Sequence, residues 1–192
     1  MALVEGTRRR DRWADWAVIL VLLIALALGF VLRQRTLYTT SEFVIDDGAI
    51  TGRAPVRWLR EFDANPLLRT RNPRGGAFNT TLELRTRPLA ADAEPALALQ
   101  ALTLERADDT SAYRTLETSE VSLGARSALQ RTFTYVQTAQ NPYLDHLPVV
   151  VKGVDLVVED EGRAVIATYL SSAETFDANY RYFRDFVQTL DF

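Results

Sequence analysis

Any chemistry in this chain has to start from few groups. His146 is the only histidine, and Asp145 precedes it. A histidine beside a carboxylate can serve as a general base, but it needs a nucleophile or a metal, and nothing spaced around it supplies one. It reads as structural. Glu159, Asp160 and Glu161 form an acidic run that could attract a hard cation. Consecutive side chains point in different directions, and the ligand spacing of a calcium loop is missing, so the run reads as a solvated turn. The absence of cysteine removes disulfides, thiolate metal sites and thiol nucleophiles together. The sequence therefore predicts no catalytic residue, no metal and no cofactor, and a chain that is not an enzyme.

The best binding candidates are Arg69, Arg71 and Arg74, followed by Gly75-Gly76. Three guanidinium groups near a glycine pair could hold a carboxylate, a phosphate, a lipid headgroup or an acidic partner surface. The plainer alternative is an exposed loop. Asn79-Thr80-Thr81 matches a glycosylation sequon, which carries no meaning in a bacterial protein. Bacterial origin is read from arginine usage. Of 22 basic residues only Lys152 is lysine, as the codon bias of a GC-rich genome would give.

What must position these groups begins with the stretch Trp16 to Leu32, seventeen residues without a charge between Asp15 and Arg33. That is the short end of the roughly 17–25 residues a membrane-crossing helix needs, and Trp13 and Ala14 lengthen it. In lipid a lone span has to satisfy its backbone internally, so it is helical. Arg8, Arg9, Arg10 and Arg12 precede it, which favours a cytoplasmic N-terminus, and Trp13 and Trp16 sit where an aromatic belt belongs. Ala25-Leu26-Ala27 has the form of a signal-peptide cleavage site, but the apolar run continues past it for longer than a signal requires. Ala25 and Gly29 are four residues apart, a small-xxx-small spacing that lets another helix approach closely. The expected organisation is a cytoplasmic tail over 1–12, a transmembrane helix over 13–33, a linker over 34–41 and an extracytoplasmic domain over 42–192.

Residues 38–192 carry 16 basic and 22 acidic side chains, a net charge of −6, which disfavours a nucleic-acid partner. Their length suits one domain. Glu42–Ile45 and Ala49–Arg53 flank the turn Asp46-Asp47-Gly48 as a hairpin, and residues 55–76 read as loop-rich. From Phe78 to Arg87 the residues alternate as in a half-buried strand, with Phe78, Thr80, Leu82 and Leu84 on one face. Pro95 opens a helix through Leu104. Tyr113–Val121 and Arg131–Gln137 read as paired strands around Leu123-Gly124-Ala125, and Pro148–Glu159 with Arg163–Ser171 as a central hairpin. Phe176, Tyr180, Phe183, Val187 and Leu190 form one apolar stripe on a final helix, with Ser171 and Glu174 as its capping box. The fold class is α+β, an antiparallel sheet packed by helices behind a single N-terminal transmembrane helix.

This order resembles the PsbP-like and Mog-type fold. The resemblance rests on Pro55-x-x-Trp58 after the opening hairpin, on Tyr113 to Gly124 followed by Phe133 and Tyr135, and on the ending from Gly162-Arg163 through Tyr169 to Phe183 and Phe186. It implies a noncatalytic auxiliary or docking module on a larger assembly, such as a photosynthetic one. The tethering helix departs from that pattern, so the implied partners are the lipid bilayer and an integral membrane protein complex.

Overall fold

The structure is a computed structural model that describes residues 5–37, 39–90, 94–138 and 147–192, with side chains on the first helix described from 16 to 32. His146 and Asp145 lie outside the described residues. The chain divides into two units, Met1–Thr39 and Thr40–Phe192.

The first unit is one helix, α1 (Glu5–Leu37). Every described side chain on it, Trp16 to Leu32, is exposed. Ala25 and Gly29 share this exposure, and a methyl group built on Gly29 would meet nothing within 4 Å. Among the described residues no helix is long and apolar enough to cross a membrane. Much of the segment 34–41 is regular structure, because α1 runs to Leu37 and a strand starts at Thr40.

The second unit opens with a hairpin, β1 (Thr40–Ile45) and β2 (Ile50–Pro55), which forms its own two-stranded sheet. Then come β3 (Leu59–Glu61), β4 (Leu68–Arg71), β5 (Thr81–Pro88), α2 (Pro95–Asp109), β6 (Ser111–Leu123), β7 (Arg126–Gln137), β8 (Val149–Asp160), β9 (Arg163–Ser172) and α3 (Phe176–Gln188). β3 to β9 make one antiparallel sheet in the order β3-β4-β5-β9-β8-β7-β6. The β-branched pair β8 and β9 lies inside it, buried on both faces. Gly124, at φ +62°, and Gly162, at φ +77°, hold the left-handed turn positions of the β6–β7 and β8–β9 hairpins.

Both faces of the sheet are covered. On one, Leu82, Leu84, Leu156, Ala167 and Tyr169 pack against Phe176, Phe183, Phe186 and Val187 of α3 and against Phe43 and Ile50 of the hairpin. The Tyr169 hydroxyl donates to the Phe176 carbonyl at 2.7 Å, fixing the start of α3 to the sheet. On the other, Ala98, Leu99 and Leu102 of α2 meet Val157, Ala164 and Ile166. Beside them Phe133, Tyr135 and Val151 form a third cluster. Phe133 lies over Gly153, where an added Cβ would come within 2.7 Å of its Cε2 and 2.9 Å of Leu170 Cδ2. That close approach requires glycine.

Three local expectations are corrected. Residues 55–76 contain two strands, β3 and β4, each too short to display a period in sequence. Ser171 caps nothing, because it belongs to β9 and pairs with Lys152. Its hydroxyl instead lies 3.2 Å from Thr80 Oγ1, and Thr175 occupies the N-cap position. Phe78 precedes the start of β5, so strand alternation does not govern it, and it packs with the Phe133 cluster instead of with Leu82.

Candidate functional site

The arginine candidates are drawn into the sheet. Arg69 and Arg71 lie on β4, two residues apart and on one face. Arg69 Nε donates to Glu83 at 2.7 Å, and Arg71 pairs with Glu61 across the β3–β4 ladder. Arg74 stays in the turn beyond, where its backbone N–H donates to Asn72 Oδ1 at 3.0 Å. Gly75 is closely approached, since a Cβ there would come within 2.6 Å of Asn79 Cα and the Phe78 carbonyl oxygen. Two of the three guanidinium groups, those of Arg69 and Arg71, are thus engaged by carboxylates of neighbouring strands.

What sequence reading missed is a polar row that crosses the whole sheet. Register places Glu61, Arg69, Glu83, Thr168, Asp155, Arg131 and Thr118 side by side on β3, β4, β5, β9, β8, β7 and β6. Cross-strand neighbours of opposite sign stabilise a sheet. α2 lies on this row and answers it. Arg106 grips Asp155 with both terminal nitrogens, and its Nη2 also donates to Thr168 Oγ1 at 3.1 Å. Thr168 in turn donates to Asp155 Oδ1 at 2.7 Å. Glu105 accepts from Arg85 and Arg87, and Arg131 reaches Thr103 and the Leu99 carbonyl.

The electrostatics follow from burial. The Asp155 side chain is 1% exposed and that of Arg106 12%. Burial pushes the Arg106 pKa down, but the Asp155 carboxylate, with smaller contributions from Tyr113 and Glu83, more than offsets it and holds the guanidinium above its ordinary value. Burial alone would raise Glu83; Arg85 and Arg69 more than offset it, leaving its carboxyl below the usual range. Burial pushes the Tyr135 hydroxyl up to about 12. The Arg106 guanidinium also sits 4.4 Å from the centre of the Phe133 ring. The arrangement joins α2 to the sheet by matched charges beside the apolar contact that Ala98, Leu99 and Leu102 make.

Concave surfaces lie beside the β1–β2 hairpin, where one cavity of about 580 Å³ is lined by residues that include Val44, Asp46, Phe62 and Leu67, and along α3. At its start a cavity of about 360 Å³ is lined by residues that include Leu116, Glu117, Thr132, Lys152, Asp177 and Tyr180. The single lysine of the chain is here, its ammonium 4.2 Å over the Phe176 ring. A second cavity of about 160 Å³ shares Gln130 and Tyr180 and continues to Arg184 and Gln188. The acidic run at 159–161 is split between two elements. Asp160 bonds Arg126 at 3.1 Å and Arg163 at 3.3 Å, while Glu161 turns the chain at φ +46°. Among the described residues no group of three or more acidic or histidine side chains could hold a metal.

No protein-family model matches the sequence, and no curated protein matches it. Solved structures do. Cyanobacterial PsbP (CyanoP) from Synechocystis sp. PCC 6803 is similar with a TM-score of 0.57 at 7% identity, over 80% of this chain and 92% of its own. The fold is PsbP/Mog-like. The Ran-binding protein Mog1p of Saccharomyces cerevisiae gives 0.51 at 13% identity over 80% and 95%. LpqN, involved in cell envelope biogenesis of Mycobacterium tuberculosis, gives 0.50 at 16% over 79% and 89%. At such identities the PsbP/Mog-like likeness is one of fold, and it covers most of the chain.

Proposed function

We propose that this protein is a noncatalytic, single-pass accessory subunit of a larger bacterial membrane complex, with its N-terminus cytoplasmic and its PsbP/Mog-like domain outside. The observation that carries this reading is α1: seventeen uncharged residues with their large apolar side chains exposed all round, Leu20 at 59% and Phe30 at 60% among them. A helix apolar on every side belongs in a bundle core or a bilayer. The described stretch Trp16 to Leu32 is by itself too short for a span, since seventeen residues rise about 25 Å; the reading therefore also relies on the sequence neighbours Trp13 and Ala14, which extend the run toward a hydrocarbon core of about 30 Å. Ala25 and Gly29 then offer a surface for a partner helix. The domain contributes contacts, in keeping with a neighbour described as a cyanobacterial PsbP and another described as involved in cell envelope biogenesis.

A membrane-tethered module for a small anion or lipid headgroup is the second reading. It is weakened by the pairing of Arg69 and Arg71 with Glu83 and Glu61. Alkaline carbonate extraction followed by protease treatment of spheroplasts tests the topology. The chain should stay with the membrane, and protease should remove residues 36–192 while sparing the tail. Release by carbonate, or survival of the whole chain, refutes the proposal.

A further inference from the structure

The connection between the two units is short, because α1 ends at Leu37 and β1 starts at Thr40. By chain length alone, three residue steps reach no more than about 11 Å, and the helix from Leu32 to Leu37 rises about 8 Å. On the membrane reading proposed above, on which this inference rests, Thr40 is held within about 19 Å of the hydrocarbon boundary, and the headgroup layer fills about 5–7 Å of that. The residues beside Thr40 therefore have a lipid surface within reach. They are also held in place. Pro55 pairs with Thr40 and opens a turn in which the Trp58 N–H donates to the Pro55 carbonyl at 3.4 Å. Arg60 Nη2 donates to the Ser41 hydroxyl at 2.6 Å and to the Ala54 carbonyl at 2.7 Å, tying the start of β3 to the same end of the hairpin. Trp58 turns inward against the Tyr182 ring, which leaves Val56, Arg57 and Leu59 exposed.

We propose that residues 56–59 rest on the headgroups of an anionic phospholipid bilayer, with Arg57 on a lipid phosphate and Val56 and Leu59 at the apolar boundary. Charge distinguishes this spot from the other exposed apolar one on the hairpin side of the domain. At the turn end of the hairpin, Val44 and Phe62 are bordered by Asp46, Asp47 and Asp63, of which Asp46 alone has an arginine partner among the described residues. An anionic surface repels that end. At the Thr40 end the neighbouring carboxylates are already neutralised, Glu42 by Arg53 and Glu61 by Arg71. Arg57 makes no ion pair among the described residues, so its guanidinium is available to a phosphate. A cation flanked by exposed aliphatic side chains suits the interface, where the aliphatic groups leave water and the charge meets the negative surface potential. The domain as a whole is acidic, and this end is the one that an anionic bilayer attracts.

The chain has no cysteine, so single cysteines can be introduced and labelled one at a time. Val56→Cys and Leu59→Cys probe the proposed contact, and Val44→Cys and Phe62→Cys, also exposed apolar positions, are the controls at the other end of the hairpin. Each full chain carries an environment-sensitive fluorophore, is checked for folding in detergent by near-UV circular dichroism, and is reconstituted into vesicles of phosphatidylcholine and phosphatidylglycerol containing a headgroup-nitroxide lipid. Flotation establishes that the chain is on the vesicles. The proposal expects nitroxide quenching at 56 and 59 at least threefold that at 44 and 62. Quenching at 59 should fall at least twofold in phosphatidylcholine alone, and equally when Arg57→Glu is added. Equal quenching at all four positions in a chain that floats overturns the contact and leaves the membrane reading standing. Quenching at 59 that ignores both lipid charge and Arg57→Glu overturns the role of Arg57 and with it the proposal. A chain that does not float with the vesicles overturns the membrane reading and this inference together.

Discussion

Removing one partner of the Arg106–Asp155 pair should harm the domain far more than removing both. In Asp155→Ala the guanidinium keeps its place between α2, the Phe133 ring and Thr168, but loses both bonds to the carboxylate. With the carboxylate 1% exposed and Arg106 12%, little water can replace it. Leaving a buried charge unpaired in this way costs roughly 3–5 kcal/mol. For a domain of about 150 residues each kcal/mol moves the midpoint by ~2–4 °C, so the loss should be roughly 6–20 °C. The double variant Arg106→Met with Asp155→Leu fills similar volume without charge and should come within about 1 kcal/mol of the parent or exceed it. Thermal melts of the full chain in detergent, followed by near-UV circular dichroism, separate the two variants. If Asp155→Ala melts within 2 °C of the parent, or if the double variant falls as far as the single one, the reasoning from desolvation is wrong.

Other consequences can be measured on the same material. Phe183→Ala, which empties a position 1% exposed in the α3 core, should cost about 3–5 kcal/mol by chemical denaturation. Gly153→Ala should cost roughly 1–3 kcal/mol because the new methyl overlaps Phe133, and a compensating Phe133→Leu should recover part of it. The Glu83 carboxyl is held below its unfolded value, so its stabilisation is complete above the unfolded pKa of about 4.3 and is lost as pH falls through the folded one. Stability of the parent measured from pH 6 to pH 2 should therefore fall more steeply than that of Glu83→Gln, and parallel curves would contradict the assignment. Replacing Ala25 and Gly29 with leucine should weaken association with the partner complex while leaving membrane insertion intact.

The hairpins and the closing helix were legible because their signals are local. Val149 to Val158 is dense in β-branched residues, Asp160-Glu161-Gly162 is turn chemistry, and the stripe from Phe176 to Val187 keeps helical spacing. The resemblance to the PsbP/Mog-like fold followed from that order. Two kinds of information were not local. β3 and β4 are too short to show a period, which turned two strand arginines into an expected loop. The polar row depends on register among strands far apart in sequence. Alternation assigns Glu83 and Arg85 to an outer face; it does not reveal that α2 lies on that face, where Glu83 is buried and Arg85 pairs with Glu105. One clue was present in Asp155, a carboxylate set between Val154 and Leu156 in the most apolar strand of the chain. A charge there has to be paired, and in a protein so rich in arginine a guanidinium is the natural partner.

The central claim is that this chain works as part of a membrane complex. Purification of the full chain from native membranes in mild detergent, with the co-eluting proteins weighed by mass spectrometry, addresses it most directly. The account predicts integral membrane subunits in fixed stoichiometry that survive a size-exclusion step and are diminished when Ala25 and Gly29 are replaced. Elution of the chain alone or only with itself, or its recovery in the soluble fraction without detergent, would contradict it.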